Sequence, residues 1–290
     1  MIDVLHFSDA GCPWAYSASP ALAVLRWRYG EQLRWRNVMI GLTERPEQYE
    51  ERGYTPLGAA LGLGLFRRYG MPIAPQPRAR VIATAVGCRA IIAVRMRWPE
   101  RELAAFRALQ FAWFTTPALL DEPASLERVL ARVEGVDAAG AVNALDDPDV
   151  VAAYEEDRRL ARSAGGSPTE LQGKASTSDG PVRYTAPSLV FRRGEAQLEA
   201  GGFQPVEAYD VVVANLDPTL ARRPAAQDAA EALEPFPDGL TTQEVAAIVT
   251  TGNEPVNRAA ADAALVQALA EKRVRREPVG DDALWTLQGS

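Results

Sequence analysis

The sequence predicts an α/β protein in which a small sheet-and-helix unit is interrupted by a large all-α insertion. Three observations support this fold class. A strand–turn–helix–strand pattern opens the chain at residues 2–40, a long block at 41–165 has helical periodicity without strand patterns, and strand patterns return near residue 188. We therefore predict an α/β unit at 1–40 and 166–222, a helical domain at 41–165, a linker at 223–237 and a C-terminal module at 238–290.

The opening unit contains the most specific local pattern. Ile2–Ser8 is predicted to be a strand, and Asp9-Ala10-Gly11 to be the turn that follows it. Cys12-Pro13 then begins a helix that extends to Tyr29, because proline suits the first helical turn. Pro20 is expected to kink this helix, and Leu33–Ile40 is predicted to be the second strand.

The block at 41–165 is predicted to contain three to five helices. The segments with helical spacing of apolar residues are Arg78–Arg97, Glu100–Thr115, Pro123–Val133 and Asp149–Ser163. After a Gly/Ser/Thr-rich loop at 163–181, Ser188–Phe191 and Ala196–Ala200 are expected to form a hairpin, and Gln204–Asn215 a helix.

The C-terminal module reads as helix, helix and hairpin, which is typical of a winged helix. Its predicted elements are a helix at Val245–Val249 that is capped from Thr241, a helix at Asn257–Lys272, and strands at Arg273–Glu277 and Ala283–Leu287. From residue 238 onward, five basic residues face eight acidic ones, a poor charge balance for DNA binding. We therefore expect a packing or interaction module.

Composition excludes several classes of function. The chain has 290 residues, 47% hydrophobic and 24% charged, which is typical of a soluble globular protein. No apolar run approaches the ~20 residues of a membrane span, and no secretory leader is recognisable, so a cytoplasmic location without a membrane partner is expected. A net charge of −7 disfavours nucleic acid. Two cysteines and one histidine argue against a metal site and against Ser-His or Cys-His catalysis.

Three separated motifs carry a family resemblance. They are Phe7-Ser8-Asp9-Ala10-Gly11-Cys12-Pro13-Trp14-Ala15-Tyr16, Thr185-Ala186-Pro187, and Gly202-Phe203-Gln204-Pro205-Val206-Glu207-Ala208-Tyr209. Together they resemble the DsbA-like thioredoxin-domain family, in particular its FrnE-type members, over roughly residues 1–222. The resemblance implies a thioredoxin-like fold with a helical insertion, and the winged-helix-like module lies outside it. It also implies Cys12 as the nucleophile, a cis Pro187, and substrate contacts from Pro13, Trp14, Ala15, Thr185, Ala186 and Pro187.

The chain departs from the family at one position. The oxidoreductases of this family carry Cys-Pro-Trp-Cys, whereas this chain has Ala15 in place of the second cysteine. Cys12 would therefore act alone, with a thiol or disulfide substrate and an external low-molecular-weight thiol, and without a tightly bound cofactor. A 2-hydroxychromene-2-carboxylate isomerase-like or kappa-class glutathione transferase-like enzyme, and a non-catalytic binding protein, remain alternatives. The sequence specifies neither the substrate nor the oligomeric state.

The reactivity of Cys12 depends on its surroundings. A helix N-terminus stabilises thiolate and lowers the pKa of a cysteine. No basic residue lies between Ser8 and Ala21, and Asp9 would oppose a thiolate, so moderate activation is expected. For Cys88, core packing is favoured over a bridge to Cys12, and for His6 a structural role is favoured over a catalytic one.

Overall fold

The computed structural model describes residues 1–178, 180–252 and 254–289. The strands are β1 (Ile2–Ser8), β2 (Leu33–Met39), β3 (Ala175–Ser176), β4 (Arg183–Tyr184), β5 (Ser188–Arg193), β6 (Ala196–Ala200), β7 (Leu240–Thr241), β8 (Val274–Val279) and β9 (Asp282–Leu287). The helices are α1 (Pro13–Ser17), α2 (Ser19–Tyr29), α3 (Glu47–Glu50), α4 (Pro56–Gly64), α5 (Ala85–Arg97), α6 (Glu102–Thr115), α7 (Pro123–Leu130), α8 (Ala138–Asn143), α9 (Pro148–Ala161), α10 (Pro168–Leu171), α11 (Val206–Leu216), α12 (Thr242–Val249) and α13 (Arg258–Ala270).

A four-stranded mixed sheet joins the two distant parts of the α/β unit. Its order is β2-β1-β5-β6, with β1 parallel to β2 and antiparallel to β5. His6 pairs with Asn37 on one side and with Leu189 on the other, so residues separated by the whole insertion share one register. This arrangement confirms the thioredoxin-like fold class. A folded insertion of roughly 150 residues is tolerable because loop-closure entropy grows slowly with length.

The predicted kink at Pro20 is a break between two helices. The amide of Ala18 donates to the carbonyl of Trp14 and ends α1, and α2 begins at Ser19. Pro20 lies in the first turn of α2, where its missing N–H leaves no helical hydrogen bond unmade. The short α1 therefore holds the Cys12 turn as a unit separate from α2.

The regular secondary structure of residues 41–165 is helical, as predicted, but it comprises seven α-helices rather than three to five, and residues 70–84 are irregular. The additional helices α3, α4 and α8 are short, and glycine within α4 and α8 hides their periodicity. Helix α5 begins at Ala85 rather than Arg78, because the amides of Thr84 and Ala85 donate to the carbonyl of Thr43 at 3.2 and 3.0 Å. The preceding stretch is thereby held as a loop. The predicted loop at 163–181 likewise contains α10 and β3.

The C-terminal module is consistent with a winged helix. Its three-stranded sheet has the order β7-β9-β8, and a capping box joins Thr241 and Glu244 at the start of α12. The segment at 223–237, for which composition predicts a linker, is packed instead. Its buried residues are Ala226, Ala229, Ala230, Ala232 and Leu233, which share a core with Trp27 of α2. The composition of this segment did not predict its packing, because alanine-rich, charged segments are also typical of linkers.

Candidate active site

Cys12 lies at the junction of the two halves of the α/β unit. It is the N-cap residue of α1, and its Sγ donates a hydrogen bond to the carbonyl oxygen of Ala186 at 3.1 Å. The peptide bond between Ala186 and Pro187 is cis, as the family resemblance implies. The structure thus brings together two of the three sequence motifs that are far apart in the chain.

The thiol of Cys12 is protonated in this environment, contrary to the moderate activation expected from its position. Burial, which leaves the residue 7% exposed, raises the pKa of Cys12 to about 12. The amides of Ala15 and Trp14 act in the opposite direction, as expected at a helix N-terminus. Desolvation outweighs them because a charged sulfur loses its hydration inside the protein.

Asp9 adds to this effect, as the sequence suggested. Its fully buried carboxylate raises the pKa of Cys12 electrostatically. One oxygen accepts from the amide of Gly11 at 2.8 Å, and the other accepts from the amide of Leu42 at 2.9 Å and the hydroxyl of Thr84 at 2.8 Å. Burial raises the pKa of Asp9 itself, whereas these hydrogen bonds lower it. Asp9 therefore fixes the turn that carries Cys12 rather than activating the thiol.

A cleft of about 670 Å³ opens beside Cys12, under the helical insertion. Its size falls within the ~300–1,000 Å³ of small-molecule sites. Pro13 and Trp14 line it from the Cys12 side. The walls on the insertion side are mostly apolar and aromatic, and include Tyr49, Leu63, Phe66, Ile82, Trp113 and Phe114. The insertion therefore forms one side of a substrate-sized cleft.

Trp14 is the exposed part of the Cys12 turn. Its side chain is 41% exposed and packs among three rings, with centroid distances of 5.0 Å to Phe66, 5.7 Å to Tyr69 and 5.6 Å to Phe203. Phe203 belongs to the third motif of the sequence, so this aromatic cluster joins the insertion to both halves of the α/β unit. An apolar substrate in the cleft would contact this ring surface.

The other substrate-contact residues predicted by the resemblance lie elsewhere around Cys12. Ala15 is 2% exposed and does not line this cleft. The hydroxyl of Thr185 donates to the carbonyl of Lys174 at 2.8 Å. Thr185, Ala186 and Pro187 do not line this cleft, and of the three Ala186 contacts Cys12 through its carbonyl.

Sequence reasoning missed Arg78, a cationic residue of the cleft. Its guanidinium donates to the carbonyls of Ala118, at 3.0 Å, and Trp113, and lies 5.4 Å from the centre of the Trp113 ring. Burial lowers the pKa of Arg78 to about 10, so it remains charged at neutral pH. The side chain is fixed by backbone carbonyls, and its charge faces a largely apolar cleft. No sequence pattern marks it, since Arg78 lies in an irregular segment.

Cys88 lies in the core and His6 is buried in the sheet, as the sequence favoured for both residues. Cys88 is fully buried in the core of the insertion and is a free thiol, with Sγ 3.6 Å from Asp9 Oδ2. His6 is 2% exposed, its Nδ1 bonds to Asn37 Oδ1 at 3.0 Å, and burial lowers its pKa to about 4. Neither residue lines the Cys12 cleft.

Two further properties hold for the described residues. Within 1–178, 180–252 and 254–289, no three or more His, Cys, Asp or Glu side chains are grouped so as to hold a metal ion. Over the same ranges, every helix is too short or too polar to cross a lipid bilayer.

Comparison with known proteins matches residues 3–174 to the model of the DSBA-like thioredoxin domain. Among solved structures, the cytosolic disulfide reductase DsbM from Pseudomonas aeruginosa is similar at 18% identity and a TM-score of 0.52, over 74% of this chain and 98% of that one. The probable DsbA oxidoreductase from Streptomyces coelicolor is similar at 17% identity and a TM-score of 0.55, over 79% and 95% of the chains. The curated proteins contain no match.

Proposed function

Because the chain belongs to the DSBA-like thioredoxin-domain family, which supports thiol-disulfide oxidoreductase activity in general, we propose that it acts with Cys12 as a single nucleophile. Its substrate is a small disulfide that enters the cleft beside Trp14, and an external low-molecular-weight thiol completes the cycle. The observation that carries this proposal is the position of the Cys12 sulfur. It lies at the N-terminus of α1, 3.1 Å from the Ala186 carbonyl, beside an aromatic cleft of substrate size.

The reaction has two balanced steps. The Cys12 thiol loses its proton, the sulfur attacks one sulfur of the substrate disulfide, and a Cys12–substrate disulfide forms as the second substrate sulfur leaves as a thiolate that takes up a proton. The external thiol then attacks the mixed disulfide on the substrate sulfur. This attack releases Cys12 and forms a new disulfide between the substrate and the external thiol. No electron acceptor beyond the substrate disulfide is required.

The site supports an external second thiol rather than an internal one. Ala15 occupies the position of the family's second cysteine, and Cys88 is buried in the insertion core with Asp9 as its neighbour. DsbM from P. aeruginosa, whose structure has also been solved with GSH, is similar to this chain at a TM-score of 0.51. This likeness, together with the Arg78 charge, favours an anionic thiol such as glutathione as the co-substrate.

The test is covalent capture. The reduced protein is incubated with glutathione disulfide at pH 8 and its intact mass is measured, followed by release with reduced glutathione. We expect one glutathionyl group per chain, removed by the free thiol. Cys12→Ser should form no adduct, and serine can still cap α1, so the fold should be retained.

Cys88→Ser is the matched control, since it removes the other cysteine and should leave the adduct unchanged. An adduct at Cys88, or a Cys12–Cys88 disulfide, would contradict the single-thiol mechanism. Reversible binding of reduced glutathione without any adduct would instead support the isomerase-like or transferase-like alternative. If neither occurs, a non-catalytic binding protein is the remaining interpretation.

A further inference from the structure

A second cavity, of about 460 Å³, lies where three parts of the chain meet. Its walls come from β1, β2 and α2 of the α/β unit, from α6 of the insertion, and from residues 235–240 that precede the C-terminal module. It shares no lining residue with the Cys12 cleft. Its volume is sufficient for a small organic molecule. Nothing in the proposed reaction at Cys12 uses this cavity.

Arg26 supplies to this cavity a positive charge that has no carboxylate in direct contact. Its guanidinium carbon lies 4.0 Å from the centre of the Trp35 ring, a cation–π contact. Among the described residues, it makes neither an ion pair nor a hydrogen bond. Burial and the nearby charge of Arg107 lower the pKa of Arg26 to about 10, and the charge of Glu244, which is itself paired with Arg107, acts in the opposite direction; the side chain is still cationic at neutral pH. A half-buried cation without a counterion favours an anionic ligand.

Buried polar groups beside Arg26 also lack partners. His6 lines the cavity, is 2% exposed and uses only Nδ1, so that its Nε2 has no hydrogen-bond partner among the described residues. Trp35 also lines the cavity, and its buried Nε1 has no hydrogen-bond partner among the same residues. A buried donor or acceptor left unsatisfied costs ~1–3 kcal/mol, so such groups are normally paired in folded proteins. Their concentration here indicates a missing polar ligand.

The other charges that line the cavity are already compensated or lie at its exposed edge. Arg107 forms a two-contact ion pair with Glu244, at 2.5 and 2.9 Å. The remaining charged side chains are Arg34, which pairs with Asp3, Asp238, which pairs with Arg101 at 2.7 Å, and the exposed Glu31, and the exposed residue Met1 lies at the edge. Arg26 is therefore the cation that remains available to a bound molecule.

The walls around these polar groups are apolar. Trp35 and Phe106 face the His6 ring edge-on, with centroid distances of 6.4 and 6.1 Å, and Leu22 and Phe236 also line the space. We propose that this cavity is a binding site for a small amphipathic organic anion, a carboxylate or sulfonate on an aromatic or aliphatic body. The acid group would pair with Arg26, and the body would lie against Trp35 and Phe106.

Two matched fluorescent probes test the site in the full chain. The anionic probe is 8-anilinonaphthalene-1-sulfonate, and its neutral analogue N-phenyl-1-naphthylamine lacks the sulfonate. Arg26→Gln should weaken binding of the anionic probe about tenfold, the loss expected for one charged hydrogen bond in a partly buried site. Binding of the neutral probe should change less than about twofold, because the apolar walls remain.

Arg34→Gln is the matched control, since it removes an exposed arginine of the same cavity that is already paired. It should leave both affinities unchanged. Arg26→Lys, which keeps the charge, should retain most of the affinity for the anionic probe, and this variant also keeps the test decisive if Arg26→Gln folds poorly. The anionic probe should raise the melting temperature of the wild type more than that of Arg26→Gln. Equal binding of the anionic probe to wild type and Arg26→Gln, or equal loss of both probes, would overturn the proposal.

Discussion

Glu244 forms a buried ionic contact between the C-terminal module and the rest of the protein, and replacing it with glutamine should strongly destabilise the chain. Its carboxylate is fully buried, takes two contacts from Arg107 of α6, and accepts from the hydroxyl of Ser19 at 2.5 Å. It also accepts from the amide of Thr241 at 2.8 Å within the capping box. One side chain thus links α12 to α2 and α6.

The expected magnitude follows from the charge that Glu244→Gln leaves behind. Arg107 is 14% exposed and would lose its counterion, and breaking a buried pair on one side costs about 3–5 kcal/mol. For a chain of this length, this loss corresponds to a fall of roughly 5–10 °C in the melting temperature. Thermal unfolding followed by circular dichroism measures it. Arg107→Met combined with Glu244→Gln should recover part of the loss, because no uncompensated charge is then buried.

The same contact predicts a pH dependence. Burial alone would raise the pKa of Glu244, but Arg107 and the hydrogen bonds lower it below its ordinary value of 4.5. A carboxyl group whose pKa is lowered by folding stabilises the protein above its unfolded pKa, and this contribution is lost as the pH falls through the folded value. The difference in stability between wild type and Glu244→Gln should therefore shrink below pH 4.5. Arg34→Met, which breaks an exposed pair with Asp3, is the control and should change little. A loss at Glu244→Gln no larger than at Arg34→Met would refute this account.

Three predictions concern the Cys12 cleft. In a Cys88→Ser background, alkylation of Cys12 by iodoacetamide should accelerate about tenfold per pH unit between pH 7 and 10, because burial raises its pKa to about 12; a plateau below pH 8 would contradict the burial of the thiol. Ala15→Cys restores the family's Cys-Pro-Trp-Cys turn and should produce insulin-reducing activity that the wild type lacks; efficient turnover by the wild type would show that a second local thiol is not limiting. Arg78→Met should slow adduct formation with anionic glutathione disulfide about tenfold and leave that with neutral bis(2-hydroxyethyl) disulfide unchanged; equal slowing of both would assign Arg78 a structural role.

Local patterns in the sequence predicted most of the elements that position the site. The strand before Asp9 and the start of a helix at Pro13 depend on neighbours in the chain and are present as expected, whereas the expected kink at Pro20 is a break between two helices at Ala18. In the predicted hairpin, β6 has the expected limits, and β5 begins at Ser188 as expected but extends to Arg193 rather than ending at Phe191. Elements that depend on distant contacts were predicted less well. Helix α5 begins late because Thr43, more than forty residues earlier, accepts its first amides.

The sequence did not predict the cleft and cavity residues whose roles depend on tertiary packing. Arg78 and Arg26 belong to no motif, and each derives its importance from what the fold places beside it: two backbone carbonyls for Arg78, and the face of Trp35 in a cavity for Arg26. Unlike the cysteine-proline turn, such residues have no characteristic spacing. A single sequence therefore indicates the reacting group more readily than the residues that bind the molecule it reacts with.

Local structure and tertiary packing have opposite effects on the pKa of the Cys12 thiol. The local sequence provides a helix N-terminus, and the amides of Trp14 and Ala15 do lower the pKa of the thiol. The fold then buries the sulfur against the Ala186 carbonyl, and this burial, with a smaller contribution from Asp9, raises the pKa more than the amides lower it. The hydration energy that a thiolate loses on burial is larger than the stabilisation that the two amides provide. The reactivity of Cys12 therefore depends on how far a substrate or a motion of the cleft restores polar contacts to the sulfur. A substrate that brings its own hydrogen-bond donors to the Cys12 turn would therefore accelerate its own reaction, whereas a purely apolar electrophile would react slowly with the covered thiol.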